Sequence, residues 1–412
     1  MINPTRRRFL LGASAALGFA PPLIAVRPAR AGKNYGPGVS DDEIKIGNTS
    51  PYSGPGSSYG MIGKSQAAYY RMINDRGGVN GRRIEFISYD DGYTPPKAVE
   101  MTRRLVEQDR VLLMAGSLGT ATNSATWHYL NQHKVPQLFV ASGASKWNDP
   151  KGHPWTMGWQ PNYQSAGRIY ATFILANKPD GKIGVLYQND DAGKDYLKGV
   201  TEGLGTEHKD MLVLALPYEN TDPTIDSQIV SIRAAGCDVL VTAAIPRMAA
   251  QAIRKVAEIG WKPLHILAGF ANSVGHTLRP AGLENAVGIV SDFYLNDPTD
   301  PQWRDDDSYK AWLAFMDKYY PEGDKGDAGN VYGPSLAATL VQVLRQCRDD
   351  LSRENVMKQA ASLRGFTPPL LLPGLSINTG PDDFAPIEQV RMGRFDGTHW
   401  ELFGPVLNGA IG

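Results

Sequence analysis

Cysteine is scarce in this chain, with two residues in 412, Cys237 and Cys347. At most one disulfide can form, and two buried thiols are the alternative. Net charge is also absent: 42 Lys and Arg stand against 42 Asp and Glu. Residues 1–31 hold Arg6, Arg7, Arg8, Arg27 and Arg30 and no acid, so the remainder carries 37 basic against 42 acidic residues, about −5. A mildly acidic chain has no electrostatic case for binding nucleic acid. Beyond the leader, no stretch approaches the roughly 20 apolar residues of a membrane-spanning helix.

Motifs for chemistry are missing as well. There is no Walker-type phosphate loop, and the glycines Gly116, Gly119, Gly269 and Gly275 do not make a dinucleotide fingerprint. No G-x-S-x-G elbow occurs. His128 and His133 are five apart, not the four that would set two metal ligands on one helix face. Asp90-Asp91 and Asp190-Asp191 follow strands, where adjacent carboxylates serve as turn and cap residues. No nucleophile, base and orienter come together as a set. The expectation is a protein that is not an enzyme, with no catalytic residue, metal or cofactor. An exported α/β hydrolase is the alternative from outside the binding class.

The most specific targeting signal lies in residues 1–31. Thr5-Arg6-Arg7-Arg8-Phe9-Leu10 resembles a twin-arginine export motif, Leu10 to Ala20 is apolar, and Ala29-Arg30-Ala31 is a small-x-small cleavage site. Pro21, Pro22 and an apolar run of about 11–17 residues make it too short for an anchor. This predicts a cleaved signal and a mature chain in the periplasm, starting near Gly32.

The length predicts two domains. Short apolar runs alternate with helical patterns: strands at 41–48, 83–89, 111–115 and 137–140, with helices at 61–75 and 97–108 and a third between the last two strands. A proline- and tryptophan-rich break at 150–162 precedes a second β-α series, with strands at 182–188, 211–216, 238–243 and 264–268. A strand at 286–294, helices at 300–320, 331–348 and 354–363, and a hairpin at 389–403 complete the chain. The β-α alternation predicts parallel sheets covered by helices.

Two strands end in small and hydroxyl residues: Gly116-Ser117-Leu118-Gly119-Thr120 and Ala141-Ser142-Gly143-Ala144-Ser145. Ligands of open parallel sheets bind at that edge. The hydroxyls of Thr120, Ser142 and Ser145, with N–H groups at helix N-termini, suit a carboxylate; capping of their own helices is the competing role.

The run DEIKIGNTSPYSGPGSSYG, then INDRGGVNGRRIEF, YDDGYTPPKAVE, GSLGTATN, VPQLFVASGAS and KIGVLYQNDDAGKDYLKGV, resembles the Leu/Ile/Val-binding type of periplasmic substrate-binding protein. The resemblance implies two Rossmann-like lobes with parallel sheets, joined by a three-crossing hinge near 157–160, 291–294 and 370–374. Lobe 1 would be 41–157 with 292–370, and lobe 2 would be 158–291 with 372–412. Cys237 and Cys347 would then lie in different lobes, which favours two buried thiols over a disulfide. The resemblance also implies a monomer that closes on a small ligand and docks on the membrane permease of an ABC importer.

Carried onto this chain, Thr120 matches the carboxylate-binding hydroxyl, Gly143 and Ser145 a backbone group and second hydroxyl, and Tyr59 a cleft aromatic. Ser142, Ala144 and Trp147 belong to the same loop. In lobe 2, Ala192 stands before Gly193 where the family commonly has Tyr. Phe270-Ala271-Asn272 stands where amino-acid binders place an acid for the ligand ammonium. An unpaired ammonium in a closed cleft is costly. These departures, and the stretch ASGASKWNDPKGHPWTMGWQPNYQS, which resembles receptors for aromatic acids, point to an aromatic or phenylpropanoid carboxylate. A branched-chain or other aliphatic amino acid is the alternative, for which Asp292 could supply the acid.

Overall fold

The computed structural model describes residues 33–409, so the leader and its cleavage site lie outside the described residues. The chain builds a first sheet from β1 (Glu43–Ser50), β2 (Arg83–Asp90), β3 (Leu113–Ala115), β4 (Gln137–Val140) and β5 (Thr156–Gly158), in the order β2-β1-β3-β4-β5. All its pairings are parallel. Its helices include α1 (Gly60–Asp75), α2 (Pro95–Arg103) and α3 (Thr120–Gln132).

The second sheet follows α4 (Tyr163–Asn177). It contains β6 (Ile183–Gln188), β7 (Leu212–Tyr218), β8 (Val239–Ala243), β9 (Leu264–Leu267) and β10 (Val290–Phe293), interleaved with α5 (Asp191–Leu204), α6 (Asp226–Ala234) and α7 (Pro246–Glu258). The helices α8 (Asp307–Tyr319), α9 (Gly329–Cys347) and α10 (Arg353–Ala360) come next, with α8 and α9 packed on α1. The hairpin β11 (Gln389–Phe395) and β12 (Trp400–Asn408) then joins the second sheet antiparallel to β10, giving β12-β11-β10-β9-β8-β6-β7.

Sequence accounts for many of these boundaries. Ile44 and Ile46 of β1 are fully buried, as a strand flanked on both edges demands. Gly78, at φ 73°, closes α1, and its N–H reaches the carbonyl of Ile73. A Cβ there would stand 2.0 Å from the Arg82 carbonyl.

Three expected elements differ in extent. The helix expected over 97–108 keeps α geometry to Arg103 and widens into a π turn over Arg104–Gln108. The helix expected from 300 begins at Asp307, because Asp300 and Pro301 form a separate 3-10 turn and Asp306 caps α8 by accepting from the Tyr309 N–H. The strand expected over 286–294 shrinks to β10, because Gly288 (φ 87°) turns the chain before it.

Three segments connect the two sheets. The second and third pair with each other through Leu295 and Leu371; Asn296 N–H donates to Leu370 O (2.8 Å) and Leu372 N–H to Tyr294 O (2.9 Å). The first carries Trp159, fully buried, edge-on to Tyr294 and Tyr332, with its indole N–H on Thr339 Oγ1 at 3.1 Å. Cys237 and Cys347 are both buried and free. Burial pushes the Cys347 thiol up to about 12. Among the described residues no helix is long and apolar enough to cross a membrane.

Candidate functional site

A cavity of about 930 Å³, counting its open mouth, lies where the carboxyl ends of both sheets meet the connecting segments. The first sheet contributes Tyr59, Tyr93, Gly119 and Thr120; the second contributes Gln188, Ala192, Phe270 and Asn272; the connections contribute Gln160 and Tyr294. Tyr163 and Tyr332 add to an aromatic wall. No lysine or arginine lies on this lining.

The N-termini of α1, α3, α4, α5 and α9 all contribute to the lining, and those of α3 and α5 differ in kind. Asp190 caps α5, accepting from the N–H groups of Ala192 (3.0 Å) and Gly193 (3.2 Å). Burial pushes this carboxyl up to about 6 against those bonds and that of Gln188. The end of α5 is therefore already occupied by its own acid. No side chain caps α3, whose N-cap Gly119 sits at φ 101°, a conformation that favours glycine. Its first N–H groups lack intrahelical acceptors beside Gly119 and Thr120, so this end can receive an anion where the end of α5 cannot.

The Thr120 hydroxyl is aimed by a relay. Thr120 Oγ1 and Ser142 Oγ are 2.6 Å apart. Ser142 Oγ already accepts from the Trp147 indole N–H (2.9 Å) and the Ala144 N–H (3.2 Å). With both lone pairs engaged, Ser142 is the donor to Thr120. The Thr120 proton is left to point at a ligand.

The cavity lining includes five of the residues expected from sequence: Tyr59, Thr120, Ala192, Phe270 and Asn272. The other five, Ser142, Gly143, Ala144, Ser145 and Trp147, lie outside this lining. Each has a physical reason. Ser142 and Trp147 are committed to the relay behind Thr120, and Trp147 packs edge-on against Trp127. Ala144 is buried with Val140 and Trp147. Gly143 is pressed so close to the first connection that a Cβ would stand 2.2 Å from the Pro161 carbonyl. Ser145 donates its N–H and hydroxyl to Asp195 of α5, at 2.6 and 3.0 Å.

Several wall residues carried no local signal. Gln160 links Tyr163 (3.0 Å), three residues on, to Tyr332 of α9 (2.8 Å). Tyr93 follows a turn whose Asp91 and Asp90 accept from nearby N–H groups, the turn role expected of that pair. The lobe-two loop did lack an acid of its own, yet Asp292 lies on the cavity wall beside it. Asp292 accepts from Tyr170 and from the Gly269 N–H (3.1 Å), and burial raises its carboxyl above the usual range. His133 turns its Nδ1 to its own helix at Tyr129 O (2.8 Å), and the His153 ring stacks on Trp127 with His128 beside it.

Comparison with known proteins decides the family: the periplasmic binding protein model matches residues 43–399. The chain belongs to that family. An amino acid binding protein of Pseudomonas aeruginosa is 23% identical over 234 residues, 53% of this chain and 58% of that relative. This chain therefore spans less than two thirds of that relative's length. A fatty acid ABC transporter substrate-binding protein from Thermomonospora curvata superposes with a TM-score of 0.77 at 23% identity, covering 92% of this chain and 95% of that one. A solute binding protein of an ABC transporter from Rhodopseudomonas palustris BisB5, in complex with 3,4-dihydroxybenzoic acid, gives 0.76 at 17% identity, covering 90% and 99%. These structures share the fold.

Three contacts join loops of the first sheet to loops of the second, and two of the residues in them, Ser145 and Tyr59, are ones the resemblance gives to a ligand. Beside the Ser145–Asp195 pair, Lys146 meets Asp191 at 2.7 Å, and the Tyr59 hydroxyl donates to Phe270 O at 3.1 Å. Asp191 is half exposed, so its ion pair contributes little. The Ser145–Asp195 bonds are the stronger latch. Asp195→Ala is expected to weaken ligand affinity about three- to tenfold, roughly 0.6–1.4 kcal/mol, by disfavouring the closed form. Calorimetric titration beside a thermal melt of the free protein checks this; equal affinity would show that the bonds do not bias closure.

Proposed function

We propose that this protein is the periplasmic substrate-binding receptor of an ABC importer, taking an aromatic or phenylpropanoid carboxylate between its lobes. In this reading lobe 1 is 41–157 with 292–370 and lobe 2 is 158–291 with 372–412. The protein works as a monomer, without turnover, and delivers its ligand to a membrane permease. The observation that carries the reading is the pairing of one anion-ready end with aromatic walls. Thr120 and the uncapped α3 face a cavity lined by Tyr59, Phe270, Tyr163, Tyr294 and Tyr332. Neutral donors and a helix N-terminus hold a carboxylate without a cation. Tyrosine faces offer flat apolar contact to a ring.

Asp292 favours a second reading. A carboxylate on the wall could receive the ammonium of an aliphatic amino acid. It is raised by burial and already bonded to Tyr170 and Gly269, which makes it a weaker partner than a free acid.

A thermal-shift panel of hydroxycinnamates, benzoates and Leu, Ile and Val separates the two. A ligand at about 100 times its Kd should add about 2.7 kcal/mol of stability. Stabilisation by an aromatic acid and by no aliphatic amino acid is expected. The reverse pattern, abolished in Asp292→Asn, would establish the second reading. Conversion of any ligand would overturn both.

A further inference from the structure

Fifteen buried side-chain polar atoms among the described residues have no hydrogen-bond partner, and three of them belong to residues on the cavity wall: His276 Nε2, Asn296 Oδ1 and Asp297 Oδ2. Their neighbours Thr277 Oγ1 and Asn330 Oδ1 are unpartnered too. A buried polar atom left unpaired is unfavourable, and folded proteins leave few of them. Three such atoms on residues lining one cavity call for a partner there.

The three come from segments other than α3, which carries Thr120. Asn296 and Asp297 follow the second connection between the sheets, tied by the Asn296 N–H to Leu370 O. His276 rests edge-on against Tyr59, with ring centroids 5.8 Å apart, and its Nδ1 is 2.7 Å from Asp327 Oδ1, just before α9. Asp327 also accepts from the Gly329 N–H (2.8 Å) and Ser273 Oγ (3.2 Å). Asp297 uses its Oδ1 on the Thr299 N–H at 2.9 Å and on the Thr299 hydroxyl, leaving Oδ2 over. Asn296 and Asp297 are each 4% exposed.

We propose that His276, Asn296 and Asp297 form a second polar subsite, which takes a hydrogen-bond-donating substituent, a hydroxyl above all, at the end of the ligand away from its carboxylate. This rests on the aromatic-acid reading and deepens it. Asp297, when ionised, only accepts, so it selects a donor. An amide can present either its oxygen or its nitrogen, and an imidazole likewise accepts or donates, so Asn296 and His276 can follow. Asp297, with Asp300 and Asp327 nearby, disfavours a second carboxylate by like-charge repulsion. A ring without a polar substituent would leave all three atoms unpaired. The subsite therefore separates hydroxylated from unsubstituted acids of the same length.

Calorimetric titration of the full protein with cinnamate, 4-hydroxycinnamate and 4-carboxycinnamate tests this. The hydroxylated acid should bind about tenfold tighter than cinnamate, and the dicarboxylate more weakly than either. In Asn296→Ala, and separately in Asp297→Asn, the ratio between 4-hydroxycinnamate and cinnamate should fall towards one while cinnamate still binds. Equal affinity of the two acids for the unaltered protein would overturn the subsite and leave the aromatic-acid reading standing. Binding of none of the three, with binding of leucine, would overturn the aromatic-acid reading and the subsite with it.

Discussion

Replacing Trp159 by alanine is expected to destabilise the protein by about 3–5 kcal/mol. Its indole is fully buried, touches Tyr294 and Tyr332 edge-on, and donates to Thr339 Oγ1. Deletion leaves a cavity among three segments with different sequence origins: the first connection, the second connection and α9. The Thr339 hydroxyl also accepts nothing in its place, although it keeps its own bond to Ser335 O at 3.0 Å. The thermal midpoint should fall by roughly 4–6 °C. Trp159→Phe keeps most of the packing and should lose about 1 kcal/mol, close to one hydrogen bond. A midpoint unchanged in Trp159→Ala would mean that the junction is held by the remaining contacts alone.

The largest effect on binding is expected at Thr120. Thr120→Val keeps the shape and removes the hydroxyl. A hydrogen bond to a charged group contributes about 1.5–3 kcal/mol, so carboxylate affinity should fall by roughly 10- to 150-fold. The substitution also leaves the Ser142 proton without its acceptor, because Trp147 and Ala144 already occupy the Ser142 lone pairs. A stability loss of about 1 kcal/mol should accompany it. Thr120→Ser should restore both properties. Ser142→Ala tests the relay from behind: Thr120 keeps its hydroxyl but loses its fixed orientation, and the Trp147 N–H loses its acceptor. Affinity unchanged in Thr120→Val would leave Thr120 as a structural residue.

Much of the architecture is readable without coordinates because the signals are local. Ile44 and Ile46 alternate, Gly77-Gly78 stops α1, and Pro95-Pro96 starts α2; each acts on backbone geometry within a few residues. The same locality identifies the two strand-end loops and the small residues in them. It does not say which way those residues face. Ser142 and Ser145 are both hydroxyls in one loop, yet Ser142 turns back to Thr120 and Ser145 crosses to Asp195 of α5. Their partners lie 22 and 50 residues away, so loop composition alone could not distinguish relay from latch.

The acid at the cavity was legible as a candidate, Asp292 at a crossing, but its place on the wall was not. Sequence comparison placed Phe270-Ala271-Asn272 where a carboxylate was sought, and that loop has none. Asp292 comes from the neighbouring parallel strand, one position across the sheet, and strand adjacency is set by topology rather than by position in the chain. Trp159, Tyr294 and Tyr332 likewise meet only because three segments cross at one place.

The chain alone thus determined the β-α alternation and the parallel sheets and marked the two strand-end loops, since these follow from hydrophobic period and turn residues. Tertiary structure alone decided which hydroxyls line the cavity, which close it, and where the unpaired polar atoms of His276, Asn296 and Asp297 collect. Hydrogen bonds of side chains are short-ranged and directional, so their partners are chosen after the sheets have packed, not by the residues beside them in sequence.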